Sequence, residues 1–211
     1  MKVLIAGMGL IGGSFALALR DHELAEEILG VENSEEHAAE ALQLGLADRM
    51  VTFEEGVAEA DLVVLATPAD TIPLMAVKAL NRVNDKQVVM DMGSIKSELC
   101  EVISMHAHRG RFVAAHPMWG TEYSGPKAAQ RGAFTGRSVV LCDTVRSDKD
   151  ALAVVERIFR RWAARRSTWT PRNTTCTQPT SRTSRTSRRS RWPSRCSNCL
   201  LYTSPSPRDC S

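Results

Sequence analysis

The side chain best suited to chemistry is His116, the one histidine of five that follows a predicted strand. A neutral imidazole there can accept a proton from a substrate hydroxyl while a hydride leaves the same carbon, which is general-base catalysis near neutral pH. A histidine at a strand end can also cap the strand or bond a backbone carbonyl, and both interpretations stay open. The other four, His22, His37, His106 and His108, lie among charged residues and are expected to be solvated.

Polar residues follow two consecutive predicted strands, residues 87–91 and 111–115, in the sequences DMGSIKS (91–97) and HPMWGTE (116–122). The carboxyl ends of parallel strands open onto the ligand side of such a sheet, so both stretches are candidates for a substrate site. Ser94 has two possible roles, which do not exclude each other. It can cap the helix predicted at residues 96–107, or it can offer its hydroxyl to a substrate.

A glycine pattern at the start of the chain predicts a dinucleotide site. The apolar run VLIA (3–6) reads as a buried strand, and Gly7-x-Gly9-x-x-Gly12 reads as the turn that leads into a helix. The glycines allow a tight turn, a close approach to a pyrophosphate and close packing of helix on strand. Glu32 ends the next apolar run, where a carboxylate accepts both ribose hydroxyls and repels a 2′-phosphate. Residues 33–36 contain no Arg or Lys, so NAD is favoured over NADP.

The elements between these motifs alternate strand and helix. Strands are predicted at residues 3–6, 28–31, 50–53, 61–66, 87–91, 111–115 and 138–142, with helices between them, including a helix at 34–44 capped by Ser34. This alternation with short links indicates an α/β, Rossmann-type doubly wound parallel sheet. Thr67 and Pro68 would then lie at the carboxyl end of the fourth strand. The predicted cofactor-binding set is Gly7, Met8, Gly9, Leu10, Ile11, Gly12, Glu32, Thr67 and Pro68.

Composition separates the 211 residues into two parts. Residues 1–162 contain 17 Lys and Arg against 23 Asp and Glu, a net charge of −6, whereas residues 163–211 contain ten Arg and one acid, a net charge of +9. The first part has enough apolar residues for a core, with Cys100 and Cys142 expected as buried thiols. Neither a signal peptide nor a membrane-spanning run is visible, so a cytoplasmic location and no membrane partner are expected.

Residues 163–211 contain no Gly, Val, Ile, Phe or Met and are rich in Arg, Ser, Thr and Pro. Such a segment buries too little apolar surface to offset its ordering entropy, which predicts a disordered tail. An alternative function is an Arg-rich arm that contacts nucleic acid, although no nucleic-acid partner is expected. Cys196-x-x-Cys199 lacks a second ligand pair, so no metal site is predicted.

Four motifs make residues 1–160 resemble the nucleotide-binding domain of the prephenate dehydrogenase family of bacterial tyrosine biosynthesis. They are GMGLIGGS (7–14), ATP (66–68), DMGSIKS (91–97) and HPMWGTEYSGP (116–126), of which the last is the most specific. The resemblance implies oxidative decarboxylation of prephenate with hydride transfer to NAD. It also implies that His116 is the catalytic histidine, that Ser94 assists it, and that Thr121 and Glu122 contact substrate, with Glu122 at the mouth of the site. Trp119 stands where many relatives have a smaller residue.

The resemblance also implies a helical domain that forms a homodimer and binds the substrate carboxylates, and this chain lacks it. Back-translated and shifted in frame, SRTSRT (181–186) can encode a Ser-His-Ile repeat like the start of that domain, and CLLYTSPSPRD (199–209) matches a sequencing adapter. We interpret residues 163–211 as the product of a frameshift near residues 160–162 followed by adapter sequence. Two rival functions remain: an arogenate dehydrogenase, and a nucleotide-binding module without catalysis.

Overall fold

The structure is a computed structural model that describes residues 1–162, 165–168 and 199–203. Its strands are Lys2–Ala6 (β1), Glu27–Val31 (β2), Arg49–Met50 (β3), Leu62–Leu65 (β4), Val88–Asp91 (β5), Phe112–Pro117 (β6), Val139–Cys142 (β7), Arg165–Thr168 (β8) and Cys199–Thr203 (β9). Its α-helices are Leu10–Asp21 (α1), Glu35–Gln43 (α2), Phe53–Glu59 (α3), Ile72–Leu80 (α4), Ser97–Val102 (α5) and Lys149–Arg160 (α6).

The strands form one sheet in the order β3-β2-β1-β4-β5-β6-β7-β9-β8. The first six pair in parallel, and β7 runs antiparallel to β6. The chain steps from β1 outward to β2 and β3, and then returns to place β4 on the other side of β1. This reversal between β1 and β4 is the point where an open α/β sheet binds its ligand, outside the carboxyl ends of the strands. The predicted doubly wound fold is confirmed.

Helices cover both faces of the sheet because successive strand residues point to opposite sides. Val3 and Ile5 of β1 join a core under α1, α2 and α6, whereas Leu4 and Ala6 join a core under α3, α4 and α5. Strands buried on both faces read as continuous apolar runs, which explains sequences such as LVVL and VVMD. Cys100 and Cys142 are buried, as expected.

Two predicted elements differ from the observed ones. The strand expected at residues 50–53 is only Arg49–Met50, because Thr52 and Glu55 form a capping box that starts α3 at Phe53. The helix expected at residues 96–107 is only Ser97–Val102. Beyond it the backbone N–H of His108 donates to the ring Nδ1 of His106 at 3.1 Å, a local turn that competes with further helix.

Two short parts of the predicted tail are described, β8 and β9, which extend the sheet beyond β7 in antiparallel pairing. Edge pairing uses backbone groups that every residue type except proline carries in full, so it does not require apolar side chains. The prediction of disorder otherwise concerns residues 163–164, 169–198 and 204–211, and these lie outside the described residues. Cys196 of the rejected metal motif lies there as well.

Candidate functional site

The glycine turn between β1 and α1 has a conformation that other residues would obstruct. Gly7 has φ +91°, and a Cβ on it would lie 2.7 Å from the carbonyl oxygen of Ala66. A Cβ on Gly12 would lie 1.9 Å from the carbonyl oxygen of Gly7, far inside van der Waals contact. The two glycines therefore let the first turn of α1 sit directly against the ends of β1 and β4.

The N-terminus of α1 has features that suit an anion. Gly9 is the N-cap residue, no side chain caps the helix, and no acidic residue occupies its first turn. A Cβ on Gly9 would meet only the backbone nitrogen of Gly125, at 3.9 Å. The N–H groups of the first turn have no intrahelical acceptors, and the helix dipole favours negative charge at this end. The residues present thus fit the pyrophosphate of a dinucleotide.

Glu32 lies beside the glycine turn, as the spacing predicts. Its Oε2 accepts a hydrogen bond from the backbone N–H of Met8 at 3.1 Å, and its Oε1 accepts one from the N–H of Asn33 at 3.0 Å. These bonds, and a longer one from the N–H of Ser34 to Oε1 at 3.5 Å, fix the half-buried carboxylate at the end of β2. The two oxygens of a carboxylate can accept neighbouring hydroxyl donors, which is what a ribose offers.

A cleft of about 290 Å³ opens beside this turn at the carboxyl ends of β4, β5 and β6. The structure brings together there Leu10 and Ile11 of α1, Thr67 after β4, Ser94 after β5, His116 of β6, and Trp119 and Thr121 after β6. Glu122 is exposed next to Thr121 and Pro68 is exposed next to Thr67, and neither lines the cleft. Part of the predicted cofactor set and part of the predicted substrate set therefore line the same cleft.

His116 is half-buried in this cleft and lies opposite Val140 of β7. Burial, with a smaller contribution from the positive charge of Lys96, lowers its pKa from 6.5 to about 4. The imidazole is therefore neutral at pH 7 and has one ring nitrogen free to accept a proton. That is the protonation state a general base requires.

Asp91 and Lys96 form a buried ion pair next to these residues, with Asp91 fully buried and Lys96 nearly so. Asp91 Oδ2 accepts from Lys96 Nζ and, at 3.0 Å, from the N–H of Gly93. Its Oδ1 accepts from the N–H of Ala115 at 3.3 Å. Burial raises the pKa of Asp91, whereas Lys96 and the two backbone donors oppose that rise by favouring the ionised carboxylate.

Neither member of this pair is assigned a site role from the sequence, although DMGSIKS contains both. The available signal is an acid that ends an apolar strand five residues before a base, with a Gly-Ser turn between them. A strand end and a following helix start place those two side chains on the same side of the turn. Reading the motif for a local ion pair, rather than only for substrate contacts, could have found it.

Ser94 is exposed in the turn between β5 and α5. The helix begins at Ser97 with Lys96 as N-cap residue, and no side chain caps it. The capping role offered for Ser94 is therefore wrong, because Ser94 lies two residues before the N-cap residue Lys96. Its position on the cleft surface leaves the hydroxyl available to a ligand.

The loop between β6 and β7, residues 118–138, joins the cleft to the glycine turn. Trp119 packs edge-on against Phe134, with ring centroids 5.6 Å apart. Farther along, the N–H of Gln130 donates to the buried hydroxyl of Ser14 on α1 at 2.9 Å, and Lys127 pairs with Glu40 of α2 at 2.5 Å. The residues after β6 are thus anchored to the two helices that flank the glycine turn and Glu32.

The other histidines are half-buried rather than solvated. His106 Nε2 lies 3.0 Å from Asn81 Oδ1, and His108 Nδ1 lies 3.0 Å from the carbonyl oxygen of Leu80. Their sequence neighbours are charged, but turns after α4 and α5 fold their rings against the chain. Among the described residues, no group of three or more His, Cys, Asp or Glu could hold a metal ion.

None of the helices in the described part of the chain has both the length and the hydropathy needed to span a bilayer.

Comparisons with known proteins point to one family. Residues 15–167 match the family model described as "Prephenate dehydrogenase, nucleotide-binding domain". The chain is 34% identical over 161 residues to a prephenate dehydrogenase of Bacillus subtilis (strain 168), which covers 75% of this chain and 43% of that protein. The chain therefore spans less than half the length of this curated relative.

Two solved structures are similar to the fold described above. A prephenate dehydrogenase from A. aeolicus in complex with hydroxyphenyl propionate and NAD+ has a TM-score of 0.69 and 32% identity, covering 76% of this chain and 56% of that one. An arogenate dehydrogenase from Synechocystis has a TM-score of 0.68 and 26% identity, covering 77% and 57%.

Proposed function

The chain belongs to the prephenate dehydrogenase family, and from that membership we propose that it carries the cofactor-binding half of an enzyme that converts prephenate to 4-hydroxyphenylpyruvate, with hydride transfer to NAD. The observation that carries the proposal is the neutral His116 in a cleft that is continuous with the glycine turn. In this reaction the base takes the proton of a hydroxyl group while the dinucleotide takes a hydride from the carbon that carries it, so both must lie beside that carbon. The pathway would be tyrosine biosynthesis, and the location cytoplasmic.

NAD, when bound, supplies the hydride acceptor. The N–H groups of the first turn of α1 would bind its pyrophosphate, with Gly7, Gly9 and Gly12 leaving room for it, and Glu32 would accept the ribose hydroxyls. A carboxylate at position 32 repels a 2′-phosphate, so NADP would be the poorer cofactor. Thr67 and Pro68, which follow β4, would complete the cofactor site.

His116 accepts the proton of the prephenate hydroxyl as hydride departs from the carbon that carries it. Ser94, which lines the same cleft, hydrogen-bonds the same oxygen, and Thr121 contacts the substrate from the loop after β6, with Glu122 at the mouth of the site. The electron pair of the breaking carbon–carboxylate bond enters the ring, carbon dioxide leaves, and the ring becomes aromatic. His116 then returns its proton to the phenolate oxygen, so no proton is consumed.

Aromatisation supplies much of the driving force, so the main task of these residues is alignment. Holding the reacting carbon near the hydride acceptor replaces an encounter between separate molecules by an internal step. Leu10, Ile11 and Trp119 give the cleft apolar walls, which would strengthen hydrogen bonds to the substrate oxygen once the substrate displaces water.

We also propose that residues 1–162 are the nucleotide-binding domain and that residues 163–211 replace a helical domain through a frameshift. The missing domain would supply the groups that bind the two substrate carboxylates and would form a homodimer. The 211-residue chain is then expected to bind NAD without turning over prephenate.

The test is NADH formation from prephenate and NAD, measured by absorbance, with the 211-residue chain beside a version whose frame is restored through the helical domain. Activity in the restored version alone supports both the family activity and the frameshift. Resequencing of the source DNA gives an independent answer, because an intact frame without adapter sequence would refute the frameshift. Inactivity of both proteins, with NAD binding retained, would favour a binding module.

Arogenate oxidation is the second candidate, favoured by the similarity to the Synechocystis arogenate dehydrogenase. The two substrates differ in the side chain remote from the reacting carbon, where one has a keto group and the other an amino group. His116 and Ser94 act on the shared ring hydroxyl and so do not discriminate. Comparing kcat/KM of the restored enzyme for prephenate and arogenate decides between them.

A further inference from the structure

The buried pair of Asp91 and Lys96 has no part in the chemistry proposed above, yet it lies directly beneath it. A Cβ placed on Gly93, which lines the cleft, would be 3.2 Å from Asp91 Oδ2 and 4.0 Å from Lys96 Nζ. Only the backbone of the turn therefore separates the two charges from the cleft. The pair is inaccessible to a ligand without movement of that turn.

Stability alone is a poor reason to bury an ion pair. Removing two charges from water costs about as much as their attraction returns, and apolar residues of similar volume often serve equally well. An apolar side chain, Ile72 of α4, approaches the same Cβ position of Gly93 at 2.7 Å. A charged pair at this place needs a different explanation from packing.

The hydrogen bonds of Asp91 connect the two segments that carry the site residues. One oxygen holds Gly93, the residue before Ser94, and the other holds Ala115, the residue before His116. A single rigid carboxylate thus sets the separation between the turn after β5 and the end of β6. Lys96, at the other end of the same turn, holds the carboxylate of Asp91 in place through the ion pair.

We propose that Asp91 and Lys96 are positioning residues of the cleft: their ion pair fixes the Ser94 turn against the strand that carries His116 and places the ammonium group of Lys96 near the imidazole. The role of His116 as a base rests on the proposed function. The geometry of the ion pair and its hydrogen bonds does not depend on that function. A cation near the ring disfavours imidazolium, and it stabilises negative charge that develops on a nearby oxygen.

Few other charges bear on His116. Lys96 is the one charged group in the described chain that shifts its pKa, with Asp91 behind it on β5. The opposite residue on β7 is Val140, and α1 contributes Leu10 and Ile11. Glu122, on the loop after β6, is exposed and does not line the cleft. Removing Lys96 should therefore act on His116 without compensation from another cation.

The test is a histidine titration of the 211-residue chain, labelled with ¹⁵N-histidine and followed by NMR, with the His116 signals identified from their loss in His116→Asn. The pKa of His116 is expected at about 4 in the parent chain. In Asp91→Asn/Lys96→Met, which leaves no unpaired buried charge, the pKa of His116 should rise above that value, because the cation is gone while burial remains. Lys96→Arg keeps the charge and should keep the pKa near that of the parent.

Hydrogen exchange of the Gly93 and Ala115 amides tests the positioning, and should be about tenfold faster in the double variant. The pKa of His106, which is lowered by burial and by His108, serves as the internal reference. If Asp91→Asn/Lys96→Met fails to fold, the variant Asp91→Leu/Lys96→Met replaces both charged groups with apolar side chains and allows the same two measurements.

An unchanged His116 pKa in a folded double variant overturns the electrostatic role. An equally large rise of the His116 pKa in Lys96→Arg also overturns the electrostatic role, since packing rather than charge would then be the cause. Unchanged exchange at Gly93 and Ala115 overturns the positioning role. None of these measurements uses substrate or cofactor, so they do not depend on the assigned reaction. If that assignment were wrong, the frame-restored enzyme would show the expected pKa of His116 but would form no NADH.

Discussion

The glycine turn and the His116 cleft lie side by side but are built in opposite ways. At the turn, the functional groups are backbone N–H donors, and side chains matter mainly by their absence at Gly7 and Gly12. In the cleft, the functional groups are side chains held by contacts between β5 and β6, above all by Asp91. A backbone site tolerates no added atom, whereas a side-chain site is sensitive to charge and to pH.

The largest expected effect comes from adding one methyl group to the backbone site. Gly12→Ala puts a Cβ 1.9 Å from the carbonyl oxygen of Gly7. The helix must shift away from β1, so we expect the free energy of unfolding to fall by about 3 kcal/mol or more and NAD binding to be lost. Urea unfolding and calorimetric titration with NAD measure the two effects.

Gly45→Ala is the matched control for that variant. Gly45 has φ +66° after α2, but nothing lies within 4 Å of its Cβ position. The substitution therefore adds the strain of a left-handed residue without a clash, at a cost of about 1 kcal/mol. Equal losses in the two variants would mean that close packing at Gly12 is not what the turn requires.

The side-chain site should respond to pH where the backbone site does not. The folded-state pKa of His116 is lowered to about 4, so the unfolded chain binds more protons between pH 6.5 and 4. Stability is therefore full above pH 6.5 and falls as the pH drops toward 4, by up to about 3 kcal/mol from this residue. Urea unfolding at pH 7 and pH 4 should show that His116→Asn loses less stability than the parent. An identical loss in both would place the acid sensitivity elsewhere.

The contrast between a backbone site and a side-chain site also explains how much of the molecule could be predicted from the sequence. The turn and Glu32 follow from local spacing, since Gly7, Gly12 and an acid at the end of the second strand are separated by a single βαβ unit. The position of His116 followed from its strand. The anchoring of the β6–β7 loop to Ser14 did not, because it joins residues 116 positions apart. The short strand β3 was predicted, but its end was wrong: it stops at Met50 rather than at residue 53, because Thr52 and Glu55 form a capping box that starts α3 at Phe53.

Glu32 offers a test that separates the two sites. Glu32→Ala removes the predicted ribose acceptor and the support of the Met8 N–H, so NAD should bind about tenfold to a hundredfold more weakly. Ser94→Ala, on the cleft side of the same surface, should leave NAD binding unchanged while lowering turnover in a frame-restored enzyme. Calorimetric titration of both variants makes the comparison. A weaker affinity for NAD in Ser94→Ala as well would mean that the sites are not separable.

The smallest expected effect concerns the connection between the sites. Ser14→Ala removes the buried hydroxyl that accepts from the N–H of Gln130, leaving that donor without its partner, at a cost of about 1 kcal/mol. Lys127→Ala breaks an ion pair with Glu40 in which the lysine is largely exposed, so it should cost less than the loss of the buried hydrogen bond. Both anchors hold the same loop, so urea unfolding should rank Ser14 above Lys127, and amide exchange along residues 118–138 should accelerate only in Ser14→Ala. If Lys127→Ala loosens the loop as much, surface charge rather than the buried hydrogen bond ties the cleft to the glycine turn.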